Sequence, residues 1–222
     1  AAERRAVLLD GDFGVVWQGE EVERDGPANR CNDGKVDGSG RFWIGTMERD
    51  CQGRAGAFYL LDGQRIACID QGYRVTNGPS FAPPGNVMCC ADTMDGVVYR
   101  ADIAGLADKR AFVRFERGEG LPDGMTYDDA GRLYVAHFGG GAISRYRQDG
   151  TRDAKFMLPA TNVTSLCFGG PDLTTLFVTS AHCTFNDAER RTRPDEGALF
   201  AFDCGARGRP EPLFRLATEP LS

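Results

Sequence analysis

The stretch Asp37-Gly-Ser-Gly40-Arg-Phe-Trp-Ile-Gly45 joins a polar turn to a short apolar strand, and the same pattern returns three more times along the chain. The steps between the turn markers, from Gly40 to Gly85 to Gly131 to Leu173, are 45, 46 and 42 residues. A period of about 45 residues is typical of the blades of a β-propeller. The later copies are Pro83-Pro-Gly85-Asn-Val-Met-Cys-Cys-Ala91, Asp128-Asp-Ala-Gly131-Arg-Leu-Tyr-Val-Ala136 and Gly170-Pro-Asp-Leu173-Thr-Thr-Leu-Phe-Val-Thr-Ser180.

Further short runs rich in β-branched and aromatic residues follow within the repeats, bounded by Gly, Asp or Pro. They include residues 96–100, 112–115, 142–146 and 155–158. No segment shows a sustained helical period with caps, and the charged run 189–193 is expected to be a solvated loop. The sequence therefore predicts an all-β fold, a β-propeller of four-stranded blades.

The period also predicts what lies at the two ends of the chain. Counting about 45 residues back from Gly40 falls before residue 1, so residues 7–9 and 13–17 are expected to be the later strands of a blade. Residues 198–202 and 212–216 are expected to complete the last repeat. We expect a single propeller domain over residues 1–222 with about five blades present.

A polar residue stands eight positions before each turn marker: Asn32, Asn77, Asp123 and Ser165. Because equivalent positions of successive blades face the ring axis, these side chains are expected to converge in the central channel. Converging oxygens suit a hard divalent cation, and the amide of Asn77 with the carboxylate of Asp123 are the predicted ligands. The alternative is that Asn-Gly and Asp-Gly are turn dipeptides placed by backbone geometry alone.

Composition narrows the function classes. The chain has 222 residues, 41% of them hydrophobic, and a formal net charge of −6, and it has no basic stripe that would bind nucleic acid. No stretch reaches the ~20 apolar residues that a membrane span needs, and a cytoplasmic protein is expected. The eight cysteines form no C-x-x-C pair and are expected to be reduced thiols. Nothing in the sequence bears on oligomeric state.

Four motifs in order resemble the senescence-marker-protein/gluconolactonase/regucalcin family. The first is Arg30-Cys-Asn-Asp-Gly-Lys-Val-Asp37 followed by Gly40-Arg-Phe-Trp-Ile-Gly-Thr-Met47. The others are Thr76-Asn-Gly-Pro79, Leu121-Pro-Asp-Gly-Met125 and Thr164-Ser-Leu-Cys-Phe-Gly-Gly170. The resemblance implies a six-bladed propeller with one divalent cation (Ca, Zn, Mn or Mg) in its channel. It also implies hydrolysis of sugar-acid lactones.

The resemblance further implies roles for particular residues. Asn77 and Asp123 would hold the cation, with Asp123 also the general acid/base. Arg30 and Asn32 would contact substrate hydroxyls, as a guanidinium fork suits a hydroxylated, carboxylate-bearing lactone. Asp50, three positions after Met47, would be a further substrate contact, with Glu48 as its alternative.

Relatives carry one more ligand, a glutamate in a Gly-Glu-Ser/Gly-Pro-x-Trp segment that this sequence does not contain. We therefore expect the chain to lack the N-terminal blade and part of the next. Cation affinity should be lower, because the number of charged ligands sets it. Two alternatives to a lactonase stay open: a non-catalytic calcium-binding propeller, and an inactive fragment.

Overall fold

The structure is a computed structural model that describes residues 3–23 and 28–216. It contains five antiparallel sheets, and within each sheet every strand is hydrogen-bonded to the strand that follows it in sequence. Blade 1 is a pair, β1 (Arg5–Leu9) and β2 (Val15–Glu21), and blade 2 contains β3 (Asn29–Val36), β4 (Phe42–Glu48), β5 (Gly56–Asp62) and β6 (Arg65–Tyr73). Blade 3 contains β7 (Thr76–Ala82), β8 (Val87–Asp92), β9 (Val97–Asp102) and β10 (Arg110–Arg114), with a 3-10 turn at Leu106–Asp108.

Blade 4 contains β11 (Leu121–Tyr127), β12 (Leu133–Phe138), β13 (Ala142–Tyr146) and β14 (Arg152–Met157). Blade 5 contains β15 (Val163–Gly169), β16 (Thr175–Ser180) and β17 (Leu199–Asp203). The predicted propeller of four-stranded blades is thus confirmed in blades 2, 3 and 4. The core lies between successive blades, where apolar faces of neighbouring sheets meet in four clusters.

The turn markers that define the period share one backbone conformation. Gly40, Gly85 and Gly131 have φ of +81°, +114° and +76°. Leu173 has φ of +55°, in the region that disfavours a side chain by roughly 1–2 kcal/mol. The leucine therefore occupies the glycine position at a local cost, which supports the alignment of the fourth repeat.

Two of these turns are held by a buried aspartate. Asp37 Oδ1 accepts from the backbone N–H groups of Ser39 and Arg41, while its Oδ2 accepts from Arg41 Nε and Trp43 Nε1. Burial alone would raise the pKa of Asp37, but the bonds donated by Trp43 and Arg41 outweigh it and lower that pKa. Asp128 repeats this arrangement in blade 4.

Three details differ from the sequence predictions. Residues 212–216 form no strand, and blade 5 has three strands among the described residues. Helix α1 (Asp187–Thr192) replaces the expected solvated loop, although all its residues are exposed. Its N-cap is Asn186, whose side chain and that of Glu189 form a capping box that the sequence analysis overlooked.

Residues 204–216, which we call the tail, run past the hairpin ends of four blades. Gly208 N–H donates to Leu173 O in blade 5 at 2.8 Å, and Arg207 O accepts from Asp129 N–H in blade 4 at 2.8 Å. Further along, Lys35 Nζ lies 2.7 Å from a carboxylate oxygen of Glu211. These backbone bonds to the hairpins explain why the segment leaves blade 5 without adding a fourth strand.

Asp128→Ala should lower the stability of the protein by about 2–4 kcal/mol, because it leaves the Arg132 and Tyr134 donors of a buried turn without their acceptor. In a chain of this size we expect a fall in Tm of roughly 5–15 °C, measured by circular dichroism.

The matched control is Asp129→Ala. Asp129 is the exposed neighbour and uses only its backbone N–H in the turn, which alanine keeps. Its change should stay below about 0.5 kcal/mol. Equal losses in the two variants would contradict the role given to the buried carboxylate.

Candidate metal centre in the channel

Each described innermost strand carries one extra residue near its N-terminal end. This β-bulge interrupts the regular ladder and bends the strand, which re-aims nearby side chains. Because a bulge breaks the alternation of faces, two consecutive residues can both turn towards the channel. The shifts fall between Cys31 and Gly34, Asn77 and Ser80, Pro122 and Met125, and Val163 and Ser165.

The ladder corrects one assumption of the period analysis. The hairpin after β7 has four residues, 83–86, whereas those after β3 and β11 have five. Equal spacing from the turn marker is therefore not equal position in the sheet. Asn77 lies at the ladder position of Cys31 and Pro122, while Asn32 and Asp123 lie within the bulges.

A chain of hydrogen bonds nevertheless brings three predicted residues together. Arg30 Nη1 donates to Asn32 Oδ1 at 2.9 Å. Asn32 Nδ2 in turn donates to Asn77 Oδ1 at 3.0 Å and to the backbone oxygen of Thr76 at 2.7 Å. The predicted substrate residues and the predicted amide ligand thus form one connected polar group.

Two carboxyl groups lie near enough in this part of the channel for the charge of one to act on the other. Burial raises the pKa of Asp33 to about 6, and the bonds it accepts from the N–H groups of Gly34 and Gly78 oppose that rise. Burial and the nearby charge of Asp33 together raise the pKa of Asp123 to about 8. Both residues are half-buried.

Asp33 is the candidate site residue that the sequence analysis missed. In a regular strand Asn32 and Asp33 would point to opposite faces of the sheet, so only one was expected in the channel. The bulge between Cys31 and Gly34 removes that alternation. The sequence did show an acidic residue, Asp33, next to the in-phase Asn32. Only the bulge indicates that both side chains can lie on the same side of the strand.

Ser165, the fourth in-phase residue, packs against the strand that carries Asp123. A Cβ on Gly124 would lie 2.6 Å from Ser165 Oγ, so the glycine permits this close approach of β11 and β15. Ser165 is exposed on β15 and serves here as a packing contact.

The structure places Asp50 apart from this polar group. It is exposed in the turn after β4, where its Oδ1 accepts from Gln52 N–H at 3.1 Å and its backbone oxygen accepts from Gln52 Nε2. Its alternative, Glu48, is half-buried and accepts from Gly53 N–H at 2.6 Å. Both carboxylates are thus engaged by the local turn rather than by Arg30 or Asn32.

The donor set suits a divalent cation. The charge of Asp33 disfavours ionisation of the desolvated Asp123, and the neutral amide oxygen of Asn77 belongs to the neighbouring polar group, so a cation there would offset the unfavourable charge. Residues 3–23 and 28–216 contain no group of three or more His, Cys, Asp or Glu side chains arranged as ligands. The candidate centre is therefore two carboxyls and an amide, a hard-oxygen set.

The fold and the site together define a β-propeller with a polar, acidic centre at its channel. A family model described as "SMP-30/Gluconolactonase/LRE-like region" matches residues 1–182. The chain belongs to this family. It is 35% identical over 219 residues to pentonolactonase XacC of Haloferax volcanii, and the alignment covers 93% of this chain and 74% of that protein. It is 36% identical over 194 residues to regucalcin of Danio rerio, covering 83% of this chain and 65% of that protein.

A solved structure gives the same answer for the fold. The crystal structure of a calcium-binding protein, regucalcin, from Agrobacterium tumefaciens superposes with a TM-score of 0.84 at 28% identity. The match covers 97% of this chain and 77% of that one. Within the described part of the chain, none of the helices is long and apolar enough to cross a membrane.

Asp123→Asn should make the cation-free protein more stable at alkaline pH. A carboxyl whose pKa is raised from about 4 in the unfolded chain to about 8 in the folded one holds more protons when folded. Stability is then lost as pH rises between those values. The variant removes that loss, so in EDTA at pH 9 its Tm should exceed that of the wild type by at least about 2–4 °C.

Asp129→Asn, the same substitution at an exposed position, controls for the change of net charge. Melting curves from pH 5 to pH 9 should fall for the wild type and for this control, and should be flatter for Asp123→Asn. A parallel fall in all three would contradict the buried repulsion.

Proposed function

We propose that this chain is a lactonase that hydrolyses sugar-acid lactones at the channel centre with the aid of one divalent cation. The observation that carries the proposal is the position of Asp123. Its carboxyl is desolvated, has a pKa raised to about 8, and shares the channel with Asp33 and with the Arg30–Asn32–Asn77 group. Perturbed carboxyls beside convergent polar groups are typical of hydrolytic sites. The relatives named as lactonases support the same class of reaction.

Asn77 and Asp123 would hold the cation, and Asp33 is placed to add a second carboxylate. A second carboxylate would strengthen the hold on a divalent cation, because the number of charged ligands sets its affinity. When bound, Ca²⁺, Zn²⁺, Mn²⁺ or Mg²⁺ supplies Lewis-acid polarisation of the lactone carbonyl and keeps Asp123 ionised.

The chain's own residues would transfer the protons and orient the substrate. Asp123 takes a proton from the water that adds to the acyl carbon, and returns it to the ring oxygen when the acyl–oxygen bond breaks. The product is the open hydroxy acid. Arg30 and Asn32 orient the substrate hydroxyls, and their mutual bond of 2.9 Å restricts both side chains before substrate arrives.

Regarding partners and location, we propose a small sugar lactone as the ligand, and no nucleic acid or membrane, in keeping with the net charge of −6. A cytoplasmic location remains a prediction from the sequence.

Turnover of a panel of pentono- and hexonolactones, followed by pH-stat titration, tests the activity. The wild type should need added divalent cation and lose activity in EDTA. Asp123→Ala should lower kcat by about 10²–10⁴-fold, the range for loss of a general acid/base. Asp129→Ala should match the wild type. Undiminished turnover in EDTA, or in Asp123→Ala, would refute the mechanism.

Arg30→Lys should raise KM for the lactone by about tenfold or more, because lysine keeps the charge but loses the fork that can bind two oxygens. Arg49→Lys serves as the matched control, since Arg49 is exposed and pairs with Glu3 outside the channel. An unchanged KM in Arg30→Lys would remove Arg30 from the substrate site. In the same assay a rise in KM for Asp50→Ala alone, or for Glu48→Ala alone, would identify which carboxylate contacts substrate.

The second candidate function is a calcium-binding propeller without catalysis. It is favoured by the structural similarity to the Agrobacterium regucalcin, whose description is that of a calcium-binding protein. Tight Ca²⁺ binding by calorimetry with no cleavage of any lactone in the panel would support it. An inactive fragment would instead show neither, with an early and non-cooperative thermal melt.

A further inference from the structure

Thr93 lies directly after β8, outside the motifs that identify the site, and is 6% exposed. Its Oγ1 contacts two groups at 2.8 Å: the side-chain nitrogen Nδ2 of Asn77 and the backbone oxygen of Pro122. The first belongs to the innermost strand of blade 3 and the second to that of blade 4. One hydroxyl therefore bridges the strands that carry Asn77 and Asp123.

The protons of this bridge can be assigned from the chemistry of the partners. The Pro122 carbonyl has no proton, so the single hydroxyl proton of Thr93 must be donated to it. The hydroxyl is then left with lone pairs towards Asn77, and it can only accept there. The amide end that faces Thr93 must be the NH₂ group, and the carbonyl oxygen Oδ1 points the other way.

The opposite side of the Asn77 amide gives the same orientation independently. Asn32 Nδ2 donates to the Thr76 carbonyl oxygen, which is an acceptor only, so this end of Asn32 is also NH₂. Its second proton reaches Asn77 Oδ1 at 3.0 Å. The amide oxygen and nitrogen of Asn77 are thus each identified by a partner that permits one assignment.

We propose that Thr93 is a positioning residue for the cation: its hydroxyl holds the Asn77 amide with Oδ1 turned away from Thr93 towards Asn32, and ties the backbone beside Asp123 to the same point. The inference rests on the proposed function, in which Asn77 and Asp123 are ligands. Without the hydroxyl, the buried NH₂ group of Asn77 and the buried carbonyl of Pro122 lose their hydrogen-bond partner. The Asn77 amide is then less firmly held in the orientation that a cation needs.

The backbone of Thr93 is itself well fixed, which makes the hydroxyl a rigid reference. Its N–H donates to Val75 O at 2.9 Å and its carbonyl accepts from Gly96 N–H at 3.0 Å. A side chain held on such a turn can transmit a defined orientation to Asn77. Thr93 is therefore expected to act on cation binding through Asn77 rather than by touching the substrate.

The test compares Thr93→Val, which keeps the shape and loses the hydroxyl, with Thr93→Ser, which keeps the hydroxyl. Mn²⁺ is titrated calorimetrically into the EDTA-stripped full chain without substrate. Thr93→Val should weaken Mn²⁺ binding by about 10–100-fold, the usual effect of losing an outer hydrogen bond to a ligand. Thr93→Ser should stay within about threefold of the wild type. Excess Mn²⁺ should restore much of the lactonase kcat of Thr93→Val.

Thr184→Val is the matched control. Thr184 Oγ1 accepts from Nδ2 of the buried Asn162 at 2.6 Å in blade 5, so this variant removes a similar bond elsewhere. It should leave Mn²⁺ affinity unchanged. A melt of each variant shows whether it is folded at the titration temperature, and Thr93→Ala, which also lacks the hydroxyl, takes the place of Thr93→Val if that variant is unfolded.

Three results overturn the inference alone, provided that the wild type binds Mn²⁺: wild-type affinity in Thr93→Val, equal weakening in Thr93→Ser and Thr93→Val, or equal weakening in Thr184→Val. A wild-type chain that binds no Mn²⁺ overturns the proposed function as well, so the two failures are distinguishable.

Discussion

The one-residue bulge near the start of each innermost strand is the constraint on which the channel centre depends. Sheet geometry alone would send alternate side chains to opposite faces, and a strand so close to the ring axis has room for few of them. The bulge adds a residue without adding length to the ladder. In blade 2 it turns both Asn32 and Asp33 into the channel, and in blade 4 it presents Asp123.

This concentration of polar groups has an electrostatic consequence. Asp33 and Asp123 are taken out of water by the same packing that forms the blades, and the charge of Asp33 further disfavours ionisation of Asp123. Such a pair costs stability, because the unfolded chain would solvate both groups, and carboxyls perturbed in this way are common at functional sites. A divalent cation bound at this place would resolve the conflict, which is the physical reason for the proposed function.

Stability comes from other parts of the molecule. Apolar clusters fill the spaces between successive blades, and buried aspartates hold the hairpins of blades 2 and 4. The tail links hairpins of several blades on the face where the innermost strands end. The channel centre lies at the other end of those strands. The stability supplied by these contacts offsets the cost of its unfavourable charge arrangement. Thr93 belongs to both systems, because its backbone is part of a turn and its hydroxyl reaches Asn77.

The sequence by itself determined the propeller, its period and most strands, because turn glycines and short apolar runs are local signals that recur with every blade. The leucine at position 173 could be aligned with the glycines for the same reason. The sequence also indicated Arg30, Asn32, Asn77 and Asp123, through the phase of the repeat and the family motifs. Only the tertiary structure decided how these meet. The bulges and the shorter hairpin after β7 depend on the register of neighbouring strands, and the approach of Asp33 to Asp123 and the bridge through Thr93 depend on contacts between blades. No periodic pattern records them, since ladder register and contacts between blades are set when the sheets pack around the axis.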